Sequence, residues 1–144
     1  MSRIIRFRLW NKIDKVMIDY DKVVHNSNSD LSFGFWYIFK RQDVSIAMQF
    51  TGLKDKNGKD IYEGDILREP PKEHWDTINY SCYEVFFHDG DANTDYNIGY
   101  SINRTNNHGA VCGGYIPSFK PKQVSKMIII GNIYENPELL QQHL

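Results

Sequence analysis

Apolar and polar residues alternate with a period of two in several short stretches of this chain. Ile5, Phe7 and Leu9 alternate with Arg6, Arg8 and Trp10, the pattern of a half-buried strand. Residues 11–15 are polar and read as a turn, and residues 16–20 return as a second strand, giving a first hairpin. Residues 23–32 form a polar loop. Phe35-Trp36-Tyr37-Ile38-Phe39 is a dense aromatic run suited to a buried strand, whereas residues 45–50 fit either a strand or a short helix. Asn57-Gly58 is a strong hairpin-turn signal, because both residues tolerate positive φ at little cost. Ile61-Tyr62 and Asp65-Ile66-Leu67 flank Gly64, where a strand should bulge or bend.

Pro70-Pro71 ends that unit. Alternation resumes over residues 82–87, and residues 97–102 and 111–116 are weaker strand candidates. Met127-Ile128-Ile129-Ile130 reads as a fully buried strand, and Gly131 after it permits close backbone approach. Asn136 then caps a short helix with Pro137 at its first position, Glu138 beside the positive end of its dipole, and Leu139, Leu140 and Leu144 on its apolar face. Short strands at this spacing predict a mainly β fold. It would be an antiparallel β-barrel or sandwich with a short C-terminal helix; two small β-lobes joined near Pro70-Pro71 are a variant.

A chain of 144 residues is one ordinary domain, residues 1–144, long enough to bury a core without metal or disulfide. Its formal net charge of −1 argues against a dedicated DNA-binding domain, which would carry a basic excess. Basic residues gather at the N-terminus, and acidic ones at Glu84, Asp89, Asp91 and Asp95. Opposite local charges of this kind favour head-to-tail contact between copies, a homo-oligomer. The N-terminal strand, short and terminal, is the edge where a second chain would pair. No apolar run is long enough to cross a membrane or serve as a secretion signal, so the expected setting is the cytoplasm, with Cys82 and Cys112 reduced.

Candidate chemistry is sparse. Neither the five histidines nor the two cysteines fall at structural-zinc spacing. The run Asp89, Asp91, Asn93, Asp95 begins like a calcium loop, but Thr94 and Tyr100 stand where such a loop needs Gly and a bidentate Glu. The stretch Gly99-Tyr100-Ser101 begins like a nucleophile elbow but lacks the closing Gly, and Gly113-Gly114 lacks the Lys of a phosphate loop. No catalytic residue, metal ligand or cofactor is therefore assigned. Arg6, Arg8 and Trp10 share one strand face and form a possible binding face on which nucleic acid bases could stack. Glu63 and Asp65 lie two apart across Gly64; paired on a strand they could do acid–base or metal work, but a bend favours a structural role, capping backbone N–H groups.

Those residues sit in a longer pattern. The run Gln49-Phe50-Thr51-Gly52-Leu53-Lys54-Asp55-Lys56-Asn57-Gly58-Lys59-Asp60-Ile61-Tyr62-Glu63-Gly64-Asp65-Ile66 closely resembles the central signature of the YopX-like family. The ending Ile130-Gly131-Asn132-Ile133-Tyr134-Glu135-Asn136-Pro137-Glu138-Leu139-Leu140 resembles its C-terminal signature. The opening Phe7-Arg8-Leu9-Trp10-Asn11 resembles its N-terminal one, with Asn11 where the family often has Asp. Residues 70–120 match poorly, as a variable segment would. The resemblance implies a mainly β protein of bacteriophage or prophage origin, and it implies no particular activity. Asn57, Gly58, Tyr62, Gly64, Asp65, Gly131, Asn132, Tyr134, Asn136 and Pro137 are then expected to define the fold. The leading expectation is a non-catalytic binding or self-assembling module. A nucleic-acid-associated protein comes second and a metal-dependent hydrolase third.

Overall fold

In the computed structural model, which describes residues 4–24, 43–69, 82–88, 99–104, 115–116 and 121–140, the first alternating stretch becomes strand β1 (Phe7–Asn11). It turns back into β2 (Val16–Ile18). The Asn11 carboxamide oxygen accepts the N–H groups of Ile13 at 2.9 Å and Asp14 at 3.0 Å, a local turn closure that an Asp carboxylate would make equally well. A short helix α1 (Tyr20–Val24) follows.

Residues 45–50 resolve as strand, the start of β3 (Ser45–Lys54), which hairpins through Asn57-Gly58 into β4 (Asp60–Tyr62). A two-residue turn at Glu63-Gly64 leads into β5 (Asp65–Arg68). Then come β6 (Cys82–His88), β7 (Gly99–Arg104), β8 (Tyr115–Ile116), a helical turn α2 (Pro121–Val124) and β9 (Ile128–Asn132). All pairings are antiparallel, in a sheet of order β2-β1-β3-β4 and a sheet of order β8-β7-β6-β5-β9. The fold is mainly β, with a half-barrel curl.

Three expectations change. β1 is an interior strand, held between β2 and β3, and so offers no free edge. β9 is the last described strand of its sheet, which leaves Ile128, Ile129 and Ile130 half-buried instead of fully buried. The C-terminal helix is a single 3₁₀ turn (Pro137–Leu140), closed by Leu139 N–H donating to the Asn136 carbonyl at 3.1 Å. The aromatic run at residues 35–39, the Pro70-Pro71 break, the acidic loop at 89–95, Gly113-Gly114, Cys112 and Leu144 lie outside the described residues.

A buried apolar cluster gathers Ile61 of β4, Leu67 of β5, Tyr83 and Val85 of β6, Val124 of α2, and Met127, with Leu53 and Ile129 packed on it. It therefore binds the end of the first sheet to one face of the second. The Asn57-Gly58 hairpin tip reinforces that join. Lys56 N–H donates to the Met127 carbonyl at 2.8 Å, and the Asp55 carboxylate accepts the Ile129 N–H at 3.0 Å.

Candidate functional site

A buried polar cluster forms where the chain passes from one sheet to the other. Gly64 has φ +81°, a conformation that glycine adopts without the Cβ penalty. Its N–H donates to the Val85 carbonyl at 2.8 Å, and its carbonyl accepts the Ile133 N–H at 2.9 Å. A Cβ at this position would touch Met48, Ile133 and Tyr134, so the turn is enclosed by both sheets.

The two carboxylates flanking Gly64 diverge. The Glu63 side chain turns toward β3, where its Oε2 accepts the Gln49 N–H at 3.1 Å. Asp65 faces inward and is 1% exposed. Its Oδ2 accepts the Tyr62 N–H at 2.8 Å, so the side chain does cap a backbone group at the bend. Its Oδ1 accepts from Arg8 Nη2 at 2.7 Å, and the same nitrogen reaches the Glu63 carbonyl at 3.2 Å. Burial pushes the Asp65 carboxyl above the usual range; Arg8 and the Tyr62 N–H pull against it. The Glu63 carboxyl is also raised by burial, opposed by the Gln49 N–H.

Arg6, Arg8 and Trp10 share a face of β1, as alternation requires, but they are engaged within the chain. Arg8 lies over the Tyr62 ring at 4.8 Å, and Trp10 stacks on Tyr134 with centroids 5.8 Å apart and planes at 22°. Arg8 and Trp10 are 8% and 9% exposed, too covered for nucleic acid bases to stack on them. Arg6 lies over Phe50 at 4.5 Å and pairs with Asp60 at 3.0 Å; Asp60 also meets Lys54 at 2.6 Å. This face closes onto the second sheet through Arg8, bonded to Asp65 of β5, and Trp10, stacked on Tyr134 in the turn after β9.

The C-terminal signature is a turn built from its own asparagines. Asn132 Oδ1 accepts the N–H groups of Tyr134 at 3.1 Å and Glu135 at 2.8 Å, and Nδ2 donates to Glu135 at 2.9 Å. The Asn136 side chain turns back instead of capping the helical turn ahead of it, and its Oδ1 accepts the Asn132 N–H at 3.3 Å. That carboxamide lies against Gly131, where a Cβ would stand within 2.8 Å of Asn136 Cγ. Gly131 and Asn132 pair in register with Ile66 and Asp65. Tyr62, Gly64, Asp65, Gly131, Asn132, Tyr134 and Asn136 thus gather around the junction. Asn57 and Gly58 sit apart at the hairpin tip, and Pro137 is exposed on the final turn.

Three participants have no signal in the alternation. Arg8 reads as a surface residue until its partner is known. Asp55 is 6% exposed and bonds three backbone N–H groups, those of Asn57 at 2.9 Å, Lys59 at 2.9 Å and Ile129 at 3.0 Å. An acidic residue two before Asn-Gly is the available local clue for the first two bonds. Glu84 stands half-buried on β6, its carboxyl raised by desolvation.

Chemically the cluster is a set of polar contacts made within the chain, although the buried Arg8 Nε has no hydrogen-bond partner among the described residues. Among the described residues, no three His, Cys, Asp or Glu side chains are grouped to hold a metal ion. The Cys82 thiol is buried and its pKa is raised chiefly by that burial, which disfavours the reactive thiolate. His25, His74, His108, His143 and the side chain of His88 lie outside the described residues.

No curated protein matches the chain. Among solved structures it is similar to the crystal structure of protein EF1440 from Enterococcus faecalis, at 27% identity and a TM-score of 0.60, over 97% of this chain and 100% of that one. The family described as YopX protein matches residues 6–141. With nearly its whole length matched, the chain belongs to the YopX family.

Proposed function

We propose that this YopX-family chain is a non-catalytic binding module that assembles with copies of itself, encoded by a phage or prophage and acting in the bacterial cytoplasm. The observation that carries the reading is the state of the polar cluster. Both Asp65 oxygens are engaged by the chain itself, and Arg8 is held by Asp65, the Glu63 carbonyl and the Tyr62 ring. Such groups set geometry and leave no activated nucleophile or free acid–base pair. Large apolar side chains stand exposed on the first hairpin, Ile13 at 68% and Val16 at 47%, with Phe87 of β6 at 45%. Contact with another protein surface would remove that area from water, at about 25 cal/mol per Å². Nucleic acid is the less favoured partner, because Arg6 and Arg8 already have intramolecular partners and the net charge is −1.

Light scattering of the purified chain across the micromolar range tests the reading. The expected result is a mass that is a multiple of 16.9 kDa and shifts toward monomer in a Val16→Lys variant. A constant monomer mass overturns self-assembly. Binding to a DNA or RNA panel that weakens steeply with salt would replace the reading with a nucleic-acid one.

A further inference from the structure

Among the described residues, strand β9 ends the second sheet, with β5 along one side. An edge of this kind offers a row of N–H and C=O groups on which another chain can build. The local sequence is suited to that. Met127-Ile128-Ile129-Ile130-Gly131-Asn132-Ile133 carries no charge and no Pro and is rich in Ile, the composition of a self-pairing strand.

The tip of the β3–β4 hairpin stands against this strand in the manner of a short partner. The carbonyl of one residue and the N–H two residues further on point to the same side of a strand. At β9 those groups are the Met127 carbonyl, which accepts the Lys56 N–H at 2.8 Å, and the Ile129 N–H, which donates to Asp55 Oδ2 at 3.0 Å. β5 and β9 are direct neighbours, so the tip meets the side of β9 that faces away from β5. A pairing strand would answer these two groups with its own N–H and C=O; here a carboxylate stands in for the carbonyl. Lys54, Lys56 and Lys59 are exposed on the same hairpin, and lysines on a sheet edge oppose further pairing.

The two Asp55 oxygens divide the work. Oδ1 accepts the Asn57 and Lys59 N–H groups, both at 2.9 Å, and shapes the tip. Oδ2 accepts the Ile129 N–H and attaches the tip to the edge.

We propose that the Asp55–Lys56 tip guards the outer edge of β9, keeping a second copy of this chain from adding its own 127–133 segment there as a strand. The guarded edge is separate from the exposed surface of the first hairpin, so the two contacts fail independently.

Asp55→Asn in the full chain tests the guard, because it keeps one oxygen for the tip and replaces the other with an NH2 that cannot accept. The Asn57 and Lys59 amides should stay protected from exchange, while the Ile129 amide should exchange about tenfold faster or more. The variant should bind a labelled peptide of residues 127–133, given terminal lysines for solubility, that wild type does not bind. Bound peptide should restore protection to the Ile129 amide. On standing, the variant should also grow thioflavin-positive aggregates. Leu9→Ala, which opens the core of the first sheet, serves as the control when urea brings the two variants to equal stability. Equal growth in Leu9→Ala overturns the proposal, since instability alone would then explain it. So does peptide binding by wild type, an absence of binding and growth in Asp55→Asn, or an Ile129 amide whose exchange that variant leaves unchanged.

Discussion

The Arg8 guanidinium and the Asp65 carboxylate, 57 positions apart, meet at 2.7 Å where the two sheets join, with side-chain exposures of 10% and 2%. A buried pair of this kind contributes little net stability over an apolar replacement, but breaking it from one side strands a charge. Arg8→Met should therefore cost about 3–5 kcal/mol in urea unfolding. Asp65→Ala should cost at least as much, about 3–5 kcal/mol, since it strands Arg8 and also strips the Tyr62 N–H of its acceptor. The double variant Arg8→Met with Asp65→Leu should recover part of the Arg8→Met loss. Additive losses would mean that the pair is not coupled. An Asp65→Ala protein that keeps its melting temperature but loses self-association would make the carboxylate functional rather than structural.

Gly131 and Asn136 form a second coupled pair. Gly131→Ala places a Cβ in the space of the Asn136 carboxamide, so that side chain must leave and surrender the Asn132 N–H. The expected loss is about 1–3 kcal/mol, as for overpacking elsewhere. In an Asn136→Ala background, Gly131→Ala should cost clearly less. Denaturation of the four proteins of this cycle gives the coupling energy directly. Equal costs in both backgrounds would contradict the geometry.

Asp55 joins the hairpin tip to β9. Asp55→Ala should expose the Asn57, Lys59 and Ile129 amides to faster hydrogen exchange while the Tyr62 and Ile133 amides keep their protection. Loss of a partner for the part-buried Ile129 N–H should cost about 1–3 kcal/mol. Uniform loss of protection would show that the tip and the junction are one cooperative unit.

The local features were readable because a few neighbouring residues determine them. Alternation placed β1 and β6; Asn57-Gly58 marked the hairpin, and Gly64 the turn between sheets. The YopX-like signatures were legible because each is a continuous stretch, and the C-terminal one folds largely on itself, as Asn132 does with Tyr134 and Glu135.

The mainly β class, the turns and the family thus follow from short continuous stretches of residues. The tertiary structure alone decided which strand lies inside. A strand's period of two identifies its two faces but not its neighbours, so β1 read as a basic edge when it is an interior strand with Arg8 and Trp10 covered. The same limit hid the C-terminal detail: Asn136 caps a helix in sequence terms, but Gly131 five positions earlier leaves a space that draws its side chain back. The bonds that join the sheets span 57 residues for Arg8–Asp65 and 74 for Asp55–Ile129. Such contacts depend on strand order, and strand order is set by burying apolar faces against one another across the whole chain.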